Sequence, residues 1–307
     1  MEINILLYYK FVNIENTEEF VMKHLEFCKR LGVLGKVLIA KEGINGSISG
    51  TKEQTEMYKK ELYADKRFSD IVFKEEIGLM YPFKKISVRL RKEIIRMDQD
   101  IDIEKKGKYI SPKELIDLYK NNEDFVILDT RNDYESDVGK FKNAFTPKIK
   151  TFREFPKVVE KLKDKKDKKI VMYCTGGIRC EKASAYLVEQ GFNDISQLHG
   201  GIITFCQEYP NSSIWQGKCF VFDNRIISNV DDENAPLTKC EFCNINCDLY
   251  RNCKNPNCNH FMAVCDNCQL EHKGCCCKEC FEKYNEFLSI KMEKNRGRKS
   301  KIEKINA

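Results

Sequence analysis

The sequence predicts an α/β protein with two mixed domains followed by a small cysteine-rich module. Residues 1–97 contain strand-like and helix-like segments in the order strand, helix, strand, strand, helix, strand. In residues 111–228, apolar strand-like runs alternate with helical segments, which is typical of a mostly parallel sheet. Of the 16 cysteines, five precede residue 229 and the other eleven lie within residues 229–288. This abrupt change in composition predicts a third unit of a different type.

The first domain has the βαββαβ order of a ferredoxin-like, or acylphosphatase-like, sandwich. Its predicted strands are ILLYYKFV, KVLIA, NGSISG and DIVFKEE, and its predicted helices are TEEFVMKHLEFCKRLG and KEQTEMYKKELY. A further strand is expected at ISVRLRKEII, where Ile86, Val88 and Leu90 alternate with polar residues that include Arg89 and Arg91. Successive residues of a strand point to opposite faces, so we expect one buried face and one cationic face.

The second domain is expected to begin after a polar linker at residues 98–110. Ser111 is placed as the N-cap of a helix that has Pro112 at its first position. The runs FVILDT, KIVMYC and DISQL are strand-like, and the helix EKASAYLVEQ ends at Gly191. In such open α/β sheets the functional site lies beyond the carboxyl ends of the strands.

The loop that follows KIVMY is the strongest candidate for a catalytic site. Gly176 and Gly177 allow its backbone to turn N–H groups inward. The N-terminus of the next helix and Arg179 should together lower the pKa of the Cys174 thiol and make it a nucleophilic thiolate. Cysteine phosphatases place one residue more between cysteine and arginine, so phosphate hydrolysis is disfavoured. The residues that separate Cys174 from Arg179 are Thr175, Gly176, Gly177 and Ile178.

Three segments resemble parts of a rhodanese domain. VILDTRNDYESDVGKFKNAF is similar to its entry segment, CTGGIRCEKASAYL to its active-site loop and following helix, and QLHGGIITF to its closing segment. The resemblance implies that Cys174 can carry a persulfide and that Asp129, Arg131 and Glu135 form the scaffold of the loop. A sulfurtransferase that passes sulfur from a Cys174 persulfide is therefore one hypothesis for the function.

A narrower resemblance is to the rhodanese-containing tRNA uridine hydroxylases. It rests on CTGGIRCEKA, on FREFP at residues 152–156, on GKVLIAKEGINGSISG in the first domain and on GKCFVFDNR at residues 217–225. It implies that the protein uses molecular oxygen to convert the wobble uridine, position 34 of tRNA, to 5-hydroxyuridine, with the anticodon loop as its partner. The sequence contains no recognised flavin, haem or nicotinamide motif, such as G-x-G-x-x-G after a strand, and does not identify an electron donor.

A thiolate at Cys174 suggests a mechanism for this chemistry. Addition of the thiolate to C6 of uracil would create an enolate whose C5 can attack an electrophilic oxygen species. Arg179 and the loop N–H groups would then stabilise the charge on O4. Cys180 is either a resolving thiol for an oxidised Cys174 or a packing residue at the start of the helix, and the sequence leaves both roles open.

The net charge of +6 is modest for 307 residues, but basic residues are locally concentrated. A splayed base of a single-stranded anticodon loop can enter a pocket, and the phosphates around it need a positive surface. Each basic residue taken alone is more readily explained as a solvated side chain, and the prediction rests on the group. The candidates for RNA binding are Lys84, Lys85, Arg89, Arg91, Arg96 and Arg153. Residues 289–307 are expected to form a basic flexible tail.

The cysteine-rich module, residues 229–288, is predicted to bind two structural zinc ions in four-cysteine sites. The predicted ligands are Cys240, Cys243, Cys253, Cys258, Cys265, Cys268, Cys277 and Cys280. The four pairs could be interleaved or sequential. Possible substitutes are Cys275 or Cys276 in place of Cys277, and Cys247, His260 or His272 elsewhere. An iron–sulfur cluster is the chief rival to zinc.

Targeting signals are absent from the sequence. The start MEINILLYYKF lacks the basic segment, apolar core and cleavage site of a secretory signal, and no apolar run is long enough for a membrane span. Abundant cysteines without an export signal suit a reducing compartment. We therefore expect a soluble cytoplasmic protein with no membrane partner.

Overall fold

The polypeptide folds into two structural units that divide between Asn234 and Ala235. The structure is a computed structural model and describes residues 2–228, 234–258 and 260–290. The first unit contains both predicted α/β domains, and the second contains the cysteine-rich module.

Residues 2–97 form five strands and two helices. In chain order these elements are β1 (Ile3–Phe11), α1 (Thr17–Leu31), β2 (Leu34–Ala40), β3 (Gly43–Gly50), α2 (Lys52–Ala64), β4 (Phe73–Gly78) and β5 (Ile86–Leu90). The strand order in the sheet is β4-β1-β3-β2-β5. Strand β5 is parallel to β2, and the other neighbours are antiparallel. The predicted βαββαβ order and the additional strand are confirmed.

One face of this sheet is covered by its own two helices. Leu6 and Tyr8 of β1 point to that face and share a core with Cys28 of α1 and Tyr58 of α2. Burial of these apolar side chains stabilises the domain, at roughly 25 cal/mol for each Å² removed from water. The alternate residues of β1 point to the opposite face, which forms a wall of the candidate active site described below.

Strand β5 corrects part of the prediction for ISVRLRKEII. Val88 is buried, as expected, but Leu90 is 40% exposed. Strand β5 lies at the edge of the sheet and pairs only with β2, so the end of the strand has no neighbour on its outer side. Arg89 and Arg91 are exposed, as the alternation predicts.

Residues 98–228 form a second, parallel sheet with helices and short connecting elements. These elements are β6 (Lys108–Ile110), α3 (Pro112–Lys120), β7 (Phe125–Asp129), α4 (Asp133–Val138), β8 (Gly139–Phe141), α5 (Val158–Lys161), β9 (Lys169–Tyr173), α6 (Ile178–Glu189), β10 (Asp194–Leu198), α7 (Gly201–Glu208) and β11 (Trp215–Gly217). The parallel order is β6-β10-β9-β7, and β8 pairs with β11 in a separate antiparallel ribbon. The predicted parallel sheet is confirmed.

The predicted linker at residues 98–110 is wrong for its last three residues. Lys108–Ile110 form β6, the edge strand that pairs with β10. A strand of three residues that begins with an exposed lysine produces no apolar run or alternation in the sequence, which is why it was not predicted. The helix that follows begins as expected, with Ser111 as N-cap in a capping box with Glu114.

Within residues 234–258 and 260–290, the second unit contains β12 (Tyr250–Asn252), β13 (Phe261–Ala263), α8 (Asp266–Glu271) and α9 (278–290). Strands β12 and β13 form an antiparallel hairpin. Residues 289 and 290, predicted as the start of a flexible tail, continue α9. The remainder of the predicted tail, 291–307, and the predicted start of the module, 229–233, lie outside the described residues. No helix in the described part of the chain has the length and apolar composition needed to cross a membrane.

Candidate active site

The loop between β9 and α6 curls around the sulfur of Cys174. Strand β9 ends at Tyr173 and α6 begins at Ile178, two residues earlier than the start near Cys180 that the sequence indicated. The N–H of Gly177 donates a hydrogen bond to Cys174 Sγ at 3.1 Å. Gly177 has a φ of 102°, a region that residues with a Cβ rarely adopt. The loop therefore has the inward-turned conformation that its glycines predict.

Cys174 is the thiolate of this loop, and its neighbour Cys180 is a thiol. Burial raises the pKa of Cys174, but a hydrogen bond with Cys180, the charge of Arg179 and the backbone N–H groups of these two residues outweigh burial and lower the pKa to about 5. At Cys180, burial and the adjacent Cys174 raise the pKa well above its usual value. Both side chains are fully buried. Cys180 thus stabilises the Cys174 anion by hydrogen bonding, and its role as a resolving thiol stays a prediction.

Arg179 is held by a buried carboxylate. Its Nη1 and Nη2 donate to the two carboxylate oxygens of Glu135 at 2.6 and 2.8 Å, and Nη2 also donates to Thr175 Oγ1 at 3.3 Å. Because Glu135 occupies both terminal nitrogens, the guanidinium anchors the loop to α4. Its charge still lowers the pKa of Cys174, but its hydrogen bonds are made to Glu135 and Thr175.

Asp129 and Arg131 brace the strand end below Cys174. The Arg131 Nη2 donates to Asp129 Oδ2 at 2.6 Å and to the Gly139 carbonyl at 2.5 Å. Asp129 also accepts from the Tyr173 hydroxyl at 2.7 Å. Both charged side chains are fully buried, so this network fixes Tyr173, the residue that immediately precedes Cys174. The structure places these residues below the loop, where the resemblance expected its scaffold.

Helix α7 supports the loop from its other side. The N–H groups of Ile202 and Ile203 donate to the carbonyls of Cys174 and Thr175 at 3.0 and 3.1 Å. A Cβ on Gly201 would lie 2.5 Å from the Cys174 carbonyl oxygen, and Gly201 has a φ of 68°. This position therefore requires glycine both for its backbone conformation and for the close approach of the loop.

A cavity of about 790 Å³ opens at Cys174 between the first and second domains. The second domain contributes Cys174, Thr175, Gly176, Ile178 and Arg179 to its lining. The first domain contributes residues from the sheet face that α1 and α2 leave uncovered. The candidate nucleophile thus lies at the junction of both α/β domains.

Cross-strand register explains which residues of the first domain face the cavity. Lys36, Ser47, Leu7 and Lys74 form one row across β2, β3, β1 and β4, and all four line the cavity. A side chain on Gly176 would meet Leu7 Cδ2 at 2.9 Å. The sheet therefore packs directly on the active-site loop, and its polar side chains surround the space beside it.

Three family models match consecutive parts of the chain. The model described as UPF0176 acylphosphatase like domain matches residues 3–94, the rhodanese-like domain model matches residues 111–208, and the model described as Rhodanase C-terminal matches residues 216–281. Their order agrees with the three predicted parts of the chain.

Curated relatives match nearly the whole chain. A protein of Staphylococcus carnosus is 44% identical over 288 residues, which cover 92% of this chain and 90% of the relative. A Bacillus licheniformis protein is 46% identical (90% of this chain, 87% of the relative), and a Staphylococcus aureus protein is 43% identical (91% and 90%). All three are named tRNA uridine(34) hydroxylase. This chain belongs to the tRNA uridine(34) hydroxylase family. The predicted resemblance is confirmed.

In this family member, two of the six predicted RNA-binding residues line the cavity. They are Arg91 and Arg96, and Arg96 also pairs with Asp98 at 2.7 Å. The other four are surface side chains outside the cavity lining: Lys84, Lys85, Arg89 and Arg153. Basic lining residues that sequence reasoning missed are Lys36, Lys74, Lys92 and Arg225. For Lys36 and Lys74, the sequence alternation within β2 and β4 indicates that both side chains face away from the helices. It does not indicate what that face of the sheet contacts.

The cysteine-rich unit of this family member contains two groups of four sulfur atoms that could hold metal ions. The first comprises Cys240, Cys243, Cys265 and Cys268, and the second comprises Cys253, Cys258, Cys276 and Cys280. Within each group the sulfur atoms lie within 4.8 Å of one another. The first and third cysteine pairs thus share one group, and the second and fourth share the other, so the interleaved alternative is the correct one.

The structure corrects one predicted ligand, because Cys276 takes the place of Cys277. The N–H of Lys254 donates to the Gly274 carbonyl at 2.9 Å, which brings the chain before α9 next to the second cysteine pair. Cys276 Sγ then lies 3.6 Å from Cys258 Sγ. Cys277 is exposed at the start of α9, where its sulfur accepts a hydrogen bond from the N–H of Cys280 at 3.5 Å. It therefore caps the helix and lies outside the four-sulfur group.

The other proposed substitutes also lie outside both groups. Cys247 and Cys275 are buried but belong to neither set of four. His260 pairs with Glu241 at 2.8 Å, and the ring of His272 stacks on Phe242 with centroids 3.7 Å apart. These histidines make structural contacts near the sulfur groups.

Proposed function

We propose that this protein hydroxylates C5 of the wobble uridine, position 34 of tRNA, to give 5-hydroxyuridine with molecular oxygen as co-substrate. The observation that carries the proposal is the buried Cys174 thiolate at a cavity bounded by both α/β domains. The relatives that match nine-tenths of the chain are named for the same nucleoside position. They are not named for sulfur transfer, so we do not favour the sulfurtransferase alternative.

In the proposed reaction Cys174 activates the base. Its sulfur adds to C6 of uracil, and the electron pair of the C5–C6 bond moves towards O4 to form an enolate. C5 of this enolate is nucleophilic and can bond to one oxygen atom derived from O2, after which C5 loses its proton and the sulfur leaves C6. Reduction of the second oxygen atom to water takes two electrons and two protons from a cellular donor.

Arg179 has a positioning role in this scheme. It holds the loop against Glu135 and keeps Cys174 in its thiolate form. The loop N–H groups that donate to the sulfur also favour its anionic form. The sequence suggested that Arg179 would also stabilise the charge on O4. Because both of its terminal nitrogens donate to Glu135, we assign that charge to a different group.

The proposed substrate is the anticodon loop of tRNA. A wobble base is single-stranded and can be turned into a pocket at modest cost. Exposed basic residues at the cavity, such as Arg91 and Lys92, would contact the neighbouring phosphates. We place the enzyme in the cytoplasm, where tRNA and reduced thiols occur together.

We also propose that each four-cysteine group holds a structural zinc ion. Tetrahedral Zn–S bonds of about 2.3 Å place sulfur atoms about 3.8 Å apart. The Cys243–Cys265 and Cys258–Cys276 sulfur distances are 3.7 and 3.6 Å, so the donor set fits this geometry. Zinc would crosslink the short hairpin and helices of the module, and its binding would be coupled to folding. Iron in place of zinc, found by elemental analysis of the purified protein, would refute the assignment.

The proposed function is tested by nucleoside mass spectrometry of tRNA incubated in air with the purified protein and a reductant. We expect uridine 34 to gain one oxygen atom with the wild-type protein and not with Cys174→Ala. Lys60→Met, a change at an exposed residue of α2, is the matched control and should retain activity. Transfer of sulfur from thiosulfate to cyanide, with tRNA unchanged, would refute hydroxylation and support the sulfurtransferase.

A further inference from the structure

Lys74 is a buried lysine of the active-site cavity to which the scheme above gives no role. Its side chain lines the cavity, and the residue is only 8% exposed. Among the residues that the structure describes, its ammonium makes no hydrogen bond or ion pair; it lies over the ring of Tyr9, 5.4 Å from the centroid. A buried charge without a partner is costly. The position is therefore suited to a negative charge that forms in the cavity during the reaction.

The backbone of β4 directs Lys74 towards the Cys174 loop. Lys74 is paired in register with Leu7 of β1, and directly opposed residues of antiparallel strands share a face. Leu7 in turn packs against Gly176. Gln207 of α7 donates to the carbonyl of Glu75 at 2.7 Å, which fixes β4 to the second domain beside the loop.

Electrostatic interactions agree with this placement. Burial lowers the pKa of Lys74, while the charges of Cys174 and Glu181 raise it in part. Glu181 has its own partners, because Oε1 accepts from the hydroxyls of Tyr9 and Tyr109 at 2.8 and 2.6 Å and Oε2 lies 3.1 Å from Lys106 Nζ. Lys74 is thus near the nucleophile and is not occupied by Glu181.

The other basic side chains of the cavity have carboxylate partners or are exposed. Arg179 is bound to Glu135, and Arg225 is bound to both Glu76 and Asp223. Arg96 pairs with Asp98. The exposed members of the set are Lys36, Arg91 and Lys92. Within the described residues, Lys74 is therefore the one buried cation of the cavity lining without a carboxylate partner.

We infer that Lys74 is a catalytic residue that binds O4 of the target uracil and stabilises the enolate formed when the Cys174 sulfur adds to C6. This inference rests on the proposed function. In the step, the S–C6 bond forms, the C5–C6 π bond breaks, and its electron pair moves to O4, where the ammonium donates a hydrogen bond to the developing oxyanion. The interaction is strong because Lys74 is buried, where charges are poorly screened by water, and it strengthens as the charge on O4 develops.

The step can be tested without oxygen. Reversible addition at C6 makes C5 basic, so the hydrogen on C5 of uridine 34 should exchange with deuterium when tRNA is incubated anaerobically with the enzyme in D₂O. Mass spectrometry of the nucleoside measures this rate, and filter binding measures tRNA affinity. The variants are Lys74→Met, Lys74→Arg and Cys174→Ala, with Lys60→Met as the matched control. If Lys74→Met does not fold, Lys74→Gln replaces it.

We expect exchange with wild type and Lys60→Met and none with Cys174→Ala. Lys74→Met should slow exchange by about 10²- to 10³-fold, as removal of one oxyanion donor does, with unchanged tRNA affinity, and Lys74→Arg should restore part of the rate. Exchange in Lys74→Met within threefold of wild type would overturn the inference, as would a loss explained fully by weaker tRNA binding. Absence of exchange in wild type that still hydroxylates tRNA in air would overturn the adduct and the role of Lys74 while leaving the proposed function intact.

Discussion

Removal of either member of the Arg179–Glu135 pair should destabilise the first structural unit, and removal of Arg179 should also raise the pKa of Cys174. The two side chains form two hydrogen bonds of 2.6 and 2.8 Å and are only 6% and 0% exposed. Arg179→Met leaves a carboxylate buried without its counterion, which costs about 3–5 kcal/mol. Glu135→Met leaves a buried guanidinium and should cost a similar amount.

The double variant, Arg179→Met with Glu135→Met, should be far more stable than the sum of the single changes predicts. Replacement of a whole buried ion pair by apolar side chains is often neutral, so the coupling free energy should reach several kcal/mol. The pKa of Cys174 responds differently, because Arg179→Met and the double variant both remove the guanidinium charge. In both, the pKa should rise by about 1–3 units, whereas Glu135→Met should not raise it.

The sole tryptophan makes the stability measurement specific to this unit. Trp215 is buried in the second domain, where the guanidinium of Arg131 lies 5.7 Å from its ring. Its fluorescence during denaturation gives the free energy of unfolding, and the ultraviolet absorbance of the thiolate, taken as a difference from matched Cys174→Ser variants, gives the pKa. Single changes that cost less than about 1 kcal/mol, the range of an exposed pair, or a double variant equal to their sum, would refute the assignment of a buried, coupled pair.

Changes at Cys174, Cys276 and Arg91 should each have a measurable effect. The pKa of Cys174 is lowered to about 5, so the thiolate form persists below neutrality and kcat/KM should fall only as pH drops through about 5; a fall centred near 8.5, the ordinary value, would contradict a preformed thiolate. Cys276→Ser should release one of two bound metal ions per chain whereas Cys277→Ser should retain both, and equal metal content in the two variants would show that the ligand set is wrong. Arg91→Gln should weaken tRNA binding and reduce the slope of log K against log salt by about 1, while an unchanged slope would remove Arg91 from the RNA interface.

Local features of the site were predictable from the sequence because short-range geometry determines them. The positive φ of Gly177 and the alternation in β1 and β4 depend on a few consecutive residues. The choice between Cys276 and Cys277 does not, because the two are adjacent and the chain path at Gly274 decides which sulfur reaches Cys258. Ligand identity at this position depends on tertiary contacts that spacing alone does not encode.

The role of Lys74 was hidden for a similar reason. Its alternation with Phe73 shows that it faces away from the helices of its own domain, and an exposed lysine is the ordinary outcome for such a position. The docking of β4 onto α7 through Gln207 converts that exposed face into the wall of a cavity. A sequence pattern reports the face of a strand, but the partner of that face is set by packing between distant segments.

This packing gives the glycines of the loop a second purpose. A Cβ on Gly176 would lie 2.9 Å from Leu7 Cδ2, and one on Gly177 would lie 2.8 Å from Tyr9 Oη. The loop must therefore lack side chains at these two positions for two reasons. Glycine allows the N–H groups to turn towards Cys174, and it allows the sheet of the first domain to approach closely. In the proposed reaction the second domain supplies the nucleophile, and the first supplies the opposite wall with its buried cation. Since neither domain alone contains both, the proposed reaction requires the junction between them, and a second domain without this sheet would lack both the opposite wall of the cavity and the charge of Lys74.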